Sequence, residues 1–252
     1  MIQSLPQSAA NVIDAYWKLK AAENTYVRCP YFRNPRSGRE RWGLAAYSGK
    51  GSPEEIEVEL KIIEKLERKD FSKMRDTEIR DIMKKRKLGI ECSGFIARVL
   101  DGWTRDFYKK PVYRLLKFER SGLGFIFCKL RPYTHLDVPT LVHAKNAKEI
   151  FNFRDIMPGD ILRFNSIVDH AILVTCTERD AANNLQKICY AQSVLEETRE
   201  GVKYGIIDII HTNSNRLADQ RWREEPETGH TIQEKGEPKI FRLFIIEQAH
   251  LW

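Results

Sequence analysis

The sequence contains few cysteines, and no two of them stand at the spacing of a Cys-x-x-Cys pair. There are five among 252 residues, at positions 29, 92, 128, 176 and 189. An odd number without that spacing argues against a disulfide framework and against a zinc ribbon. We therefore expect reduced thiols, with Cys176 and Cys189 buried as small apolar side chains in strand-like runs.

Long apolar runs and a leader sequence are also missing. The stretch Ala9 to Ala22 is interrupted by residues such as Asp14 and Lys18, and residues 1–6 carry no basic side chain. A membrane span needs about 20 mostly apolar residues, and a signal peptide begins with a positively charged segment. We expect neither feature, and hence a cytoplasmic protein without a membrane partner.

The excess of basic residues is moderate and does not indicate a nucleic-acid partner. Lys and Arg number 42 against 35 Asp and Glu, a formal net charge of +7. Much of the excess lies between Lys61 and Lys87, where basic and acidic residues alternate as on a solvated helix face, and no base-reading motif accompanies it. The Gly-Lys-Gly-Ser run at 49–52 lacks the spacing of a phosphate-binding loop. We expect no nucleic acid, no cofactor and no metal.

The first 88 residues are predicted to be mostly helix and loop, because apolar side chains recur there at helical spacing. The predicted helices are Ala9 to Glu23, Glu54 to Lys69 and Asp76 to Lys87. A long loop, 33–53, ends at Ser52, which is predicted to cap the second helix, and loops of that length are often functional. We predict that residues 1–88 form a helical N-terminal extension that packs on the remainder of the chain.

The remainder, residues 89–252, is predicted to be the core and to be rich in strands. The predicted strands are Gly122 to Phe127, Asp160 to Asn165, His170 to Thr177, Leu185 to Ser193, Gly205 to His211 and Lys239 to Glu247. The polar stretch Thr212 to Gly236 is predicted to be a mobile connection. Helices followed by a meander of strands predict an α+β fold.

Cys92 opens an amphipathic helix. Gly89 is expected to close the preceding helix in the left-handed conformation, and Phe95 and Val99 begin an apolar helical stripe after the cysteine. A thiol in a first helical turn feels the positive end of the helix dipole, which favours the thiolate. The free N–H groups of that turn can also receive an oxyanion. Cys92 is therefore a candidate nucleophile.

A candidate base follows in the second half of the chain. A Pro-Gly-Asp turn at 158–160 leads into a strand, and His170 opens the next one. A histidine beside a nucleophile can act as general base and then as general acid. We assign His135 and His143, which lie before that turn, to packing or surface roles because neither has a partner in view.

The order of these features resembles the NlpC/P60 family of papain-like cysteine peptidases. The resemblance rests on Cys-Ser-Gly-Phe at 92–95, on the Pro-Gly-Asp turn and on a strand that opens with His170, and it covers roughly residues 88–195. It implies a papain-like NlpC/P60 core, in which the helix that bears the cysteine packs on an antiparallel sheet. It also implies that Cys92 is the nucleophile and His170 the base.

The resemblance further implies a polar residue, often His, that orients the imidazole from the following strand. No His is present at 188–193, but Tyr190 and Gln192 share one face of that strand. We prefer Gln192, because its amide oxygen can accept a hydrogen bond from a ring N–H. Asp169 competes for this role, although its side chain should point to the opposite face from His170.

Substrate binding is assigned to Glu91, Ser93 and Tyr190. Cell-wall members of the family usually carry Asp at the position of Glu91, where it helps to bind a free amine of the substrate, and Glu keeps that charge. The family also has a tyrosine upstream of its cysteine that lines the substrate groove. Here predicted helices fill the interval before Cys92, which departs from the family, and a residue such as Tyr26 or Tyr31 would be the counterpart.

These residues predict a cysteine hydrolase, a peptidase or amidase, that cleaves an amide of a small or cell-wall-derived peptide. The reaction would pass through an acyl-enzyme on Cys92, with His170 as base and acid. Release of the acyl group to another nucleophile would make the protein an acyltransferase. The alternative from a different class is a catalytically silent binding module on the same fold. The sequence does not specify an oligomeric state.

Overall fold

Helices and one large sheet make up the structure, and the predicted α+β class is confirmed. The computed structural model describes residues 1–33, 44–118, 130–165, 169–195, 200–225 and 236–249. The helices of these ranges are α1 (Gln7–Trp17), α2 (Pro53–Glu67), α3 (Asp76–Lys85), α4 (Cys92–Tyr108), α5 (Val138–Leu141) and α6 (Phe244–Ala249). The strands are β1 (Ile2–Ser4), β2 (Leu19–Ala22), β3 (Thr25–Val27), β4 (Ala147–Ile150), β5 (Ile161–Phe164), β6 (His170–Arg179), β7 (Leu185–Val194), β8 (Gly201–Asp208), β9 (Arg221–Glu225) and β10 (Lys239–Leu243). None of the helices in the described ranges is long and apolar enough to cross a membrane.

In the described chain, eight strands form the large sheet. Seven of them follow the order β4-β10-β5-β6-β7-β8-β9, and β1 pairs with the C-terminal half of β6. Neighbouring strands of this sheet run antiparallel. Strands β2 and β3 form a separate hairpin. The candidate residues His170 and Gln192 lie on the central strands β6 and β7, where His170 pairs with Phe164 of β5 and Gln192 with Lys203 of β8.

The N-terminal helices and the sheet share one hydrophobic cluster. Helix α4 contacts α1 on one side and strands β6 and β7 on the other. The cluster includes Ile13 of α1, Ile63 of α2 and Phe95 of α4, and burial of each such side chain contributes about 1.5–3 kcal/mol. Gly102 allows α1 to approach α4, because a Cβ there would lie 2.6 Å from the Ser8 carbonyl oxygen.

The opposite face of the sheet is also buried. Along β6, Ala171 and Leu173 belong to the cluster that contains α4, whereas Ile172 and Val174 belong to a second cluster. The second cluster also contains Trp222 of β9. Because both faces are covered there, the first half of β6 contains an uninterrupted apolar run, Ala171 to Val174, instead of an alternation of apolar and polar residues.

The N-terminal region contains strands β1 and β2, which the sequence pattern did not predict. The helix predicted over Ala9 to Glu23 ends at Trp17, and Leu19–Ala22 and Thr25–Val27 form the hairpin β2-β3. Leu19 is buried and Lys20 is exposed, an alternation of period two that the longer helical pattern concealed. Strand β1 was also missed, since three residues carry too little periodicity to be recognised.

Helices α2 and α3 follow the prediction, except for the residue that ends α3. Ser52 caps α2: its Oγ accepts from Glu55 N–H at 3.2 Å, and the Glu55 carboxylate accepts from Ser52 N–H at 2.7 Å. Such a capping box satisfies two otherwise free donors. The left-handed residue after α3 is Lys87, with φ 59°, and not Gly89. The expected role of Gly89 was therefore wrong.

In the second half of the chain, β5, β6, β7 and β8 are close to their predicted positions. Two strands were missed, β4 and β9, and β9 lies within the stretch Thr212 to Gly236 that was predicted to be a mobile connection. The strand predicted to run to Glu247 ends at Leu243, where α6 begins. The strand predicted at Gly122 to Phe127 falls outside the described residues.

Cys176 and Cys189 form a disulfide, which corrects the expectation that they are reduced and buried. They face each other across β6 and β7 with a Cα–Cα distance of 4.8 Å, and both are only partly buried. Separate apolar runs do not reveal that two cysteines come into register on adjacent strands. Cys29 and Cys92 are free thiols, and Cys128 lies outside the described residues.

A fragment of residues 89–252 is expected not to fold by itself. Deletion of residues 1–88 would expose the face of α4 that α1 covers and the half of β6 that pairs with β1. The free energy of unfolding of a whole domain is only about 5–15 kcal/mol, so the loss of this burial should abolish cooperative unfolding. Thermal melts followed by circular dichroism, with the full chain as control, measure this. A fragment that melts as sharply as the full chain would contradict the expectation.

Candidate active site

Backbone hydrogen bonds hold the residues ahead of α4 against two upstream segments. Ile90 N–H donates to the Pro30 carbonyl at 3.0 Å, and Glu91 N–H donates to the Gly49 carbonyl at 3.0 Å. Gly89 permits the first contact, because a Cβ there would lie 2.5 Å from the Pro30 oxygen. The start of the helix is therefore fixed by backbone contacts before its first turn begins.

Cys92 is the first residue of α4 and is 7% exposed. Burial and then the Glu91 carboxylate raise the pKa of its thiol to about 11, while backbone N–H groups of Ala171 and Ser93 and the Lys50 ammonium act in the opposite direction. The expected thiolate at the helix start is therefore not supported, because desolvation outweighs the favourable dipoles. At neutral pH the resting form of Cys92 is the thiol.

His170 hydrogen-bonds the side chain of Gln192. Its Nε2 lies 2.8 Å from Gln192 Oε1, and both residues are buried. Asp169, the competing partner, binds Arg163 instead, with both carboxylate oxygens 2.8 Å from the guanidinium. Gln192 therefore makes the contact with the imidazole that the sequence pattern led us to prefer.

The side chain of Cys92, from α4, lies near the start of strand β6, where His170 is the first residue. The Ala171 N–H that interacts with the Cys92 sulfur belongs to the residue next to His170, and Cys92 and Ala171 share the cluster on the α4 side. The imidazole lies 6.4 Å from the Phe164 ring, which belongs to the second cluster. The sulfur thus lies on the α4 side of the sheet and the imidazole packs toward the second cluster, so a contact between them would have to be made around the end of the strand.

A buried polar network lies behind Gln192. Gln192 Nε2 donates to Glu224 Oε1 at 2.9 Å, and the Tyr190 hydroxyl donates to the same oxygen at 3.0 Å. Lys203 Nζ is 3.7 Å from Glu224 Oε2. Tyr190 is fully buried, so the structure places it inside this network and not on an open surface that a substrate could reach. Sequence reasoning missed both Glu224 and Lys203. Glu224 lay in the stretch assigned to a mobile connection, and Lys203 lay just ahead of a predicted strand.

A second buried charge pair stands beside Cys92. Lys50 is 3% exposed, and its Nζ contacts Glu91 Oε1 at 2.5 Å, Ser93 Oγ at 2.6 Å and the Leu136 carbonyl at 2.5 Å. The Glu91 carboxylate and the Ser93 hydroxyl, both predicted to bind substrate, are thus bound to a lysine of the same chain. In the sequence, Lys50 stood out only as part of the Gly-Lys-Gly-Ser run, which was rejected as a phosphate-binding loop because its spacing is wrong.

Tyr31 lies at the site, whereas Tyr26 does not share its burial. Tyr31 forms a parallel bridge with Ile90, and burial together with the nearby Cys92 and Glu91 raises the pKa of its hydroxyl well above the ordinary value. Tyr26 is 53% exposed on the hairpin strand β3. Of the two tyrosines considered as lining a groove, Tyr31 is therefore the one near the sulfur.

The other histidines of the described chain have local surroundings. His143 Nδ1 accepts from the Lys145 N–H at 3.1 Å, and His135 ends a short 3₁₀ helix that begins at Pro132. Among the residues that the structure describes, no group of three or more His, Cys, Asp or Glu side chains is arranged to hold a metal ion.

Comparison of the chain with protein-family models, with curated proteins and with solved structures found no match. An interpretation of the site therefore depends on the geometry around Cys92, His170 and Gln192.

Replacement of Glu91 by glutamine is expected to lower the pKa of Cys92. The carboxylate disfavours a neighbouring thiolate, and the amide keeps an acceptor for Lys50 without the negative charge. A fall of half to one pH unit corresponds to a roughly 3- to 10-fold faster alkylation near pH 7. Lys50→Met removes the favourable charge and should slow the reaction. Mass spectrometry of iodoacetamide-treated protein separates Cys92 from the other thiols, and identical rates for both variants would refute this assignment.

Proposed function

We propose that the protein is a cysteine hydrolase of the papain-like type, similar to NlpC/P60 peptidases, that cleaves an amide bond through an acyl-enzyme on Cys92. The observation that supports this most directly is the hydrogen bond between His170 and Gln192, together with the interaction of the Cys92 sulfur with the backbone N–H of Ala171, the residue that follows His170. Nucleophile, base and orienting residue then come from three adjacent elements, α4, β6 and β7. With the imidazole in reach of the sulfur, such a triad would activate a weak nucleophile.

The first step would join proton transfer to attack. Because the pKa of Cys92 is about 11, His170 would take the thiol proton on Nδ1 as the sulfur bonds to the substrate carbonyl carbon. The carbonyl π electrons would move to oxygen, which could accept from the Cys92 N–H at the start of α4. The oxyanion would then collapse, the carbon–nitrogen bond would break, and the imidazolium would protonate the leaving amine.

The second step would release the acyl group. Water would attack the thioester carbonyl while His170 takes a water proton, and the thiolate would leave as the imidazolium returns a proton to it. An amine or alcohol in place of water would give acyl transfer from the same intermediate. The two reactions therefore share the residues proposed here and differ only in the second nucleophile.

The substrate proposed is a small peptide or another small amide. Segment 44–53 of the long loop packs against the start of α4, through Gly49 and Lys50, and Tyr31 lies close to the sulfur. These contacts leave Cys92 only slightly exposed, which favours a slender acyl group over a folded protein. Residues 34–43 of the same loop lie outside the described chain.

A search for an acyl adduct tests the proposal. The full chain is incubated with a panel of small peptide amides and activated esters, quenched in acid and measured by intact mass spectrometry, with fragmentation to locate the added mass. We expect an adduct on Cys92 and release of the amine. The matched control is Gln192→Ala, in which the adduct should form more slowly because the imidazole loses its partner.

A catalytically silent binding module is the second candidate. The raised pKa and the low exposure of Cys92 favour it, because both reduce the reactivity of a thiol. Binding of panel members without any adduct or hydrolysis, even above the pKa of the thiol, would support this candidate and refute the hydrolase.

A further inference from the structure

Strands β7, β8 and β9 bring the Glu224 carboxylate next to Gln192, the residue that hydrogen-bonds His170. Gln192 on β7 is the register partner of Lys203 on β8, and Gly205 on β8 is the partner of both Tyr190 and Glu224. Gly205 leaves the space through which the Tyr190 ring passes, because a Cβ there would lie 2.0 Å from Tyr190 Cζ. Side chains from β7 and β9 therefore meet across a strand that would ordinarily separate them.

The network is buried and its donors converge on one carboxylate. Gln192, Tyr190 and Lys203 are each 0% exposed, and Glu224 is 5% exposed. Gln192 Nε2 and the Tyr190 hydroxyl donate to Glu224 Oε1, and the Lys203 ammonium is nearest to Oε2. Two hydrogen bonds thus converge on Oε1, and the Lys203 ammonium, 3.7 Å from Oε2, places a positive charge beside the carboxylate.

This arrangement determines which end of the Gln192 amide faces His170. If the amide were turned over, its oxygen would face the Glu224 carboxylate, and two acceptors would meet in a buried site. The NH₂ group therefore faces Glu224, and Oε1 faces His170 Nε2 at 2.8 Å. Because an amide oxygen only accepts, His170 Nε2 must carry the proton. Neutral His170 then has its lone pair on Nδ1.

We propose that Glu224 is a positioning residue: through Gln192 it holds neutral His170 in the tautomer with Nε2 protonated and Nδ1 basic. Its importance for turnover rests on the proposed hydrolase function, in which Nδ1 takes the Cys92 proton, but the tautomer exists whether or not the protein is an enzyme. Lys203 has a separate part, since it balances the buried charge of Glu224.

Two double variants that share Lys203→Met separate the effect of a hydrogen-bond acceptor at position 224 from the effect of the Glu224 charge. Glu224→Ala alone would remove the carboxylate that pairs with the buried Lys203 ammonium, and the protein could unfold for that reason. We therefore compare Lys203→Met/Glu224→Gln with Lys203→Met/Glu224→Met. Both have a neutral pair of similar size, but only the glutamine offers an oxygen to the Gln192 NH₂ group. Circular dichroism establishes that each variant is folded.

The readout is the protonation of the two ring nitrogens, measured by ¹⁵N NMR of histidine-labelled full-length protein above the pKa of His170. In wild type and in the Gln double variant we expect Nε2 to be protonated and Nδ1 to be unprotonated. In the Met double variant we expect a mixture of tautomers and, if the protein is a hydrolase, a roughly 10-fold or larger loss of kcat with little change in KM.

Each result decides the proposal. An unprotonated Nε2 in neutral wild-type His170 overturns the proposal, and no variant is needed for that result. An unchanged tautomer in the folded Met double variant overturns it as well. A Met double variant that cannot fold leaves the wild-type spectrum and the Gln double variant to decide. If the tautomer behaves as expected but no acyl adduct ever forms on Cys92, the hydrolase function fails while the role of Glu224 stands.

Discussion

Cys92→Ala is expected to abolish both amide hydrolysis and acyl-adduct formation while the fold is retained. The reaction proposed here passes through a bond to the Cys92 sulfur, and alanine has no hydroxyl or thiol that could form a bond in its place. The change removes one small atom at the start of α4, where backbone contacts of Ile90 and Glu91 fix the chain. The cost in the free energy of unfolding should be about 1 kcal/mol, typical of a single substitution.

Cys29→Ala is the matched control for this experiment. Cys29 is the other free cysteine of the described chain and is completely buried, and burial raises the pKa of its thiol strongly. The control variant should lose a similar amount of stability and keep wild-type turnover. Hydrolysis that survives in Cys92→Ala at the wild-type rate would show that another residue is the nucleophile.

His170→Ala is expected to lower kcat by roughly 10²–10⁴, the usual contribution of a general acid and base. That loss corresponds to about 3–5 kcal/mol of transition-state stabilisation. Without a base, the reaction depends on the small fraction of Cys92 that is already thiolate, and the pKa of this thiol is about 11. The residual rate should therefore rise about tenfold per pH unit up to that value. Initial rates across alkaline pH, with stability checked at each point, measure the effect.

His143→Ala provides the comparison for the histidine. Its ring accepts a hydrogen bond from the backbone N–H of Lys145, a local contact, so turnover should be unchanged. If His170→Ala keeps the wild-type rate and the wild-type pH profile, the base lies elsewhere and the roles of Gln192 and Glu224 in turnover fall with it.

Local pattern was enough to predict the elements that carry the candidate residues. Helix α4 begins at Cys92 and β6 begins at His170, as the apolar periodicity and the turn at 158–160 indicated. The choice of Gln192 over Asp169 followed from strand alternation, which depends only on backbone geometry. Elements of three to five residues, such as β1 and β9, were missed because so few residues give no clear period.

Partners from distant parts of the chain could not be predicted in the same way. Lys50 and Ser93 are 43 residues apart, and Gln192 and Glu224 are 32 apart. Cys176 and Cys189 pair because β6 and β7 bring them into register, although five cysteines without a motif predicted reduced thiols. Cross-strand register and helix docking follow from how the whole core packs, and a linear pattern does not contain that information.

The sequence by itself therefore determined the α+β class, the start of the cysteine helix and the strand face on which His170 meets Gln192. These depend on local backbone preference and on the period of apolar residues. Only the tertiary structure decided the protonation state of Cys92: burial and Glu91 together raise the pKa of its thiol to about 11, with Lys50 partly offsetting them. A pKa depends on solvent exclusion and on charges close in space, and residues distant in the chain supply both.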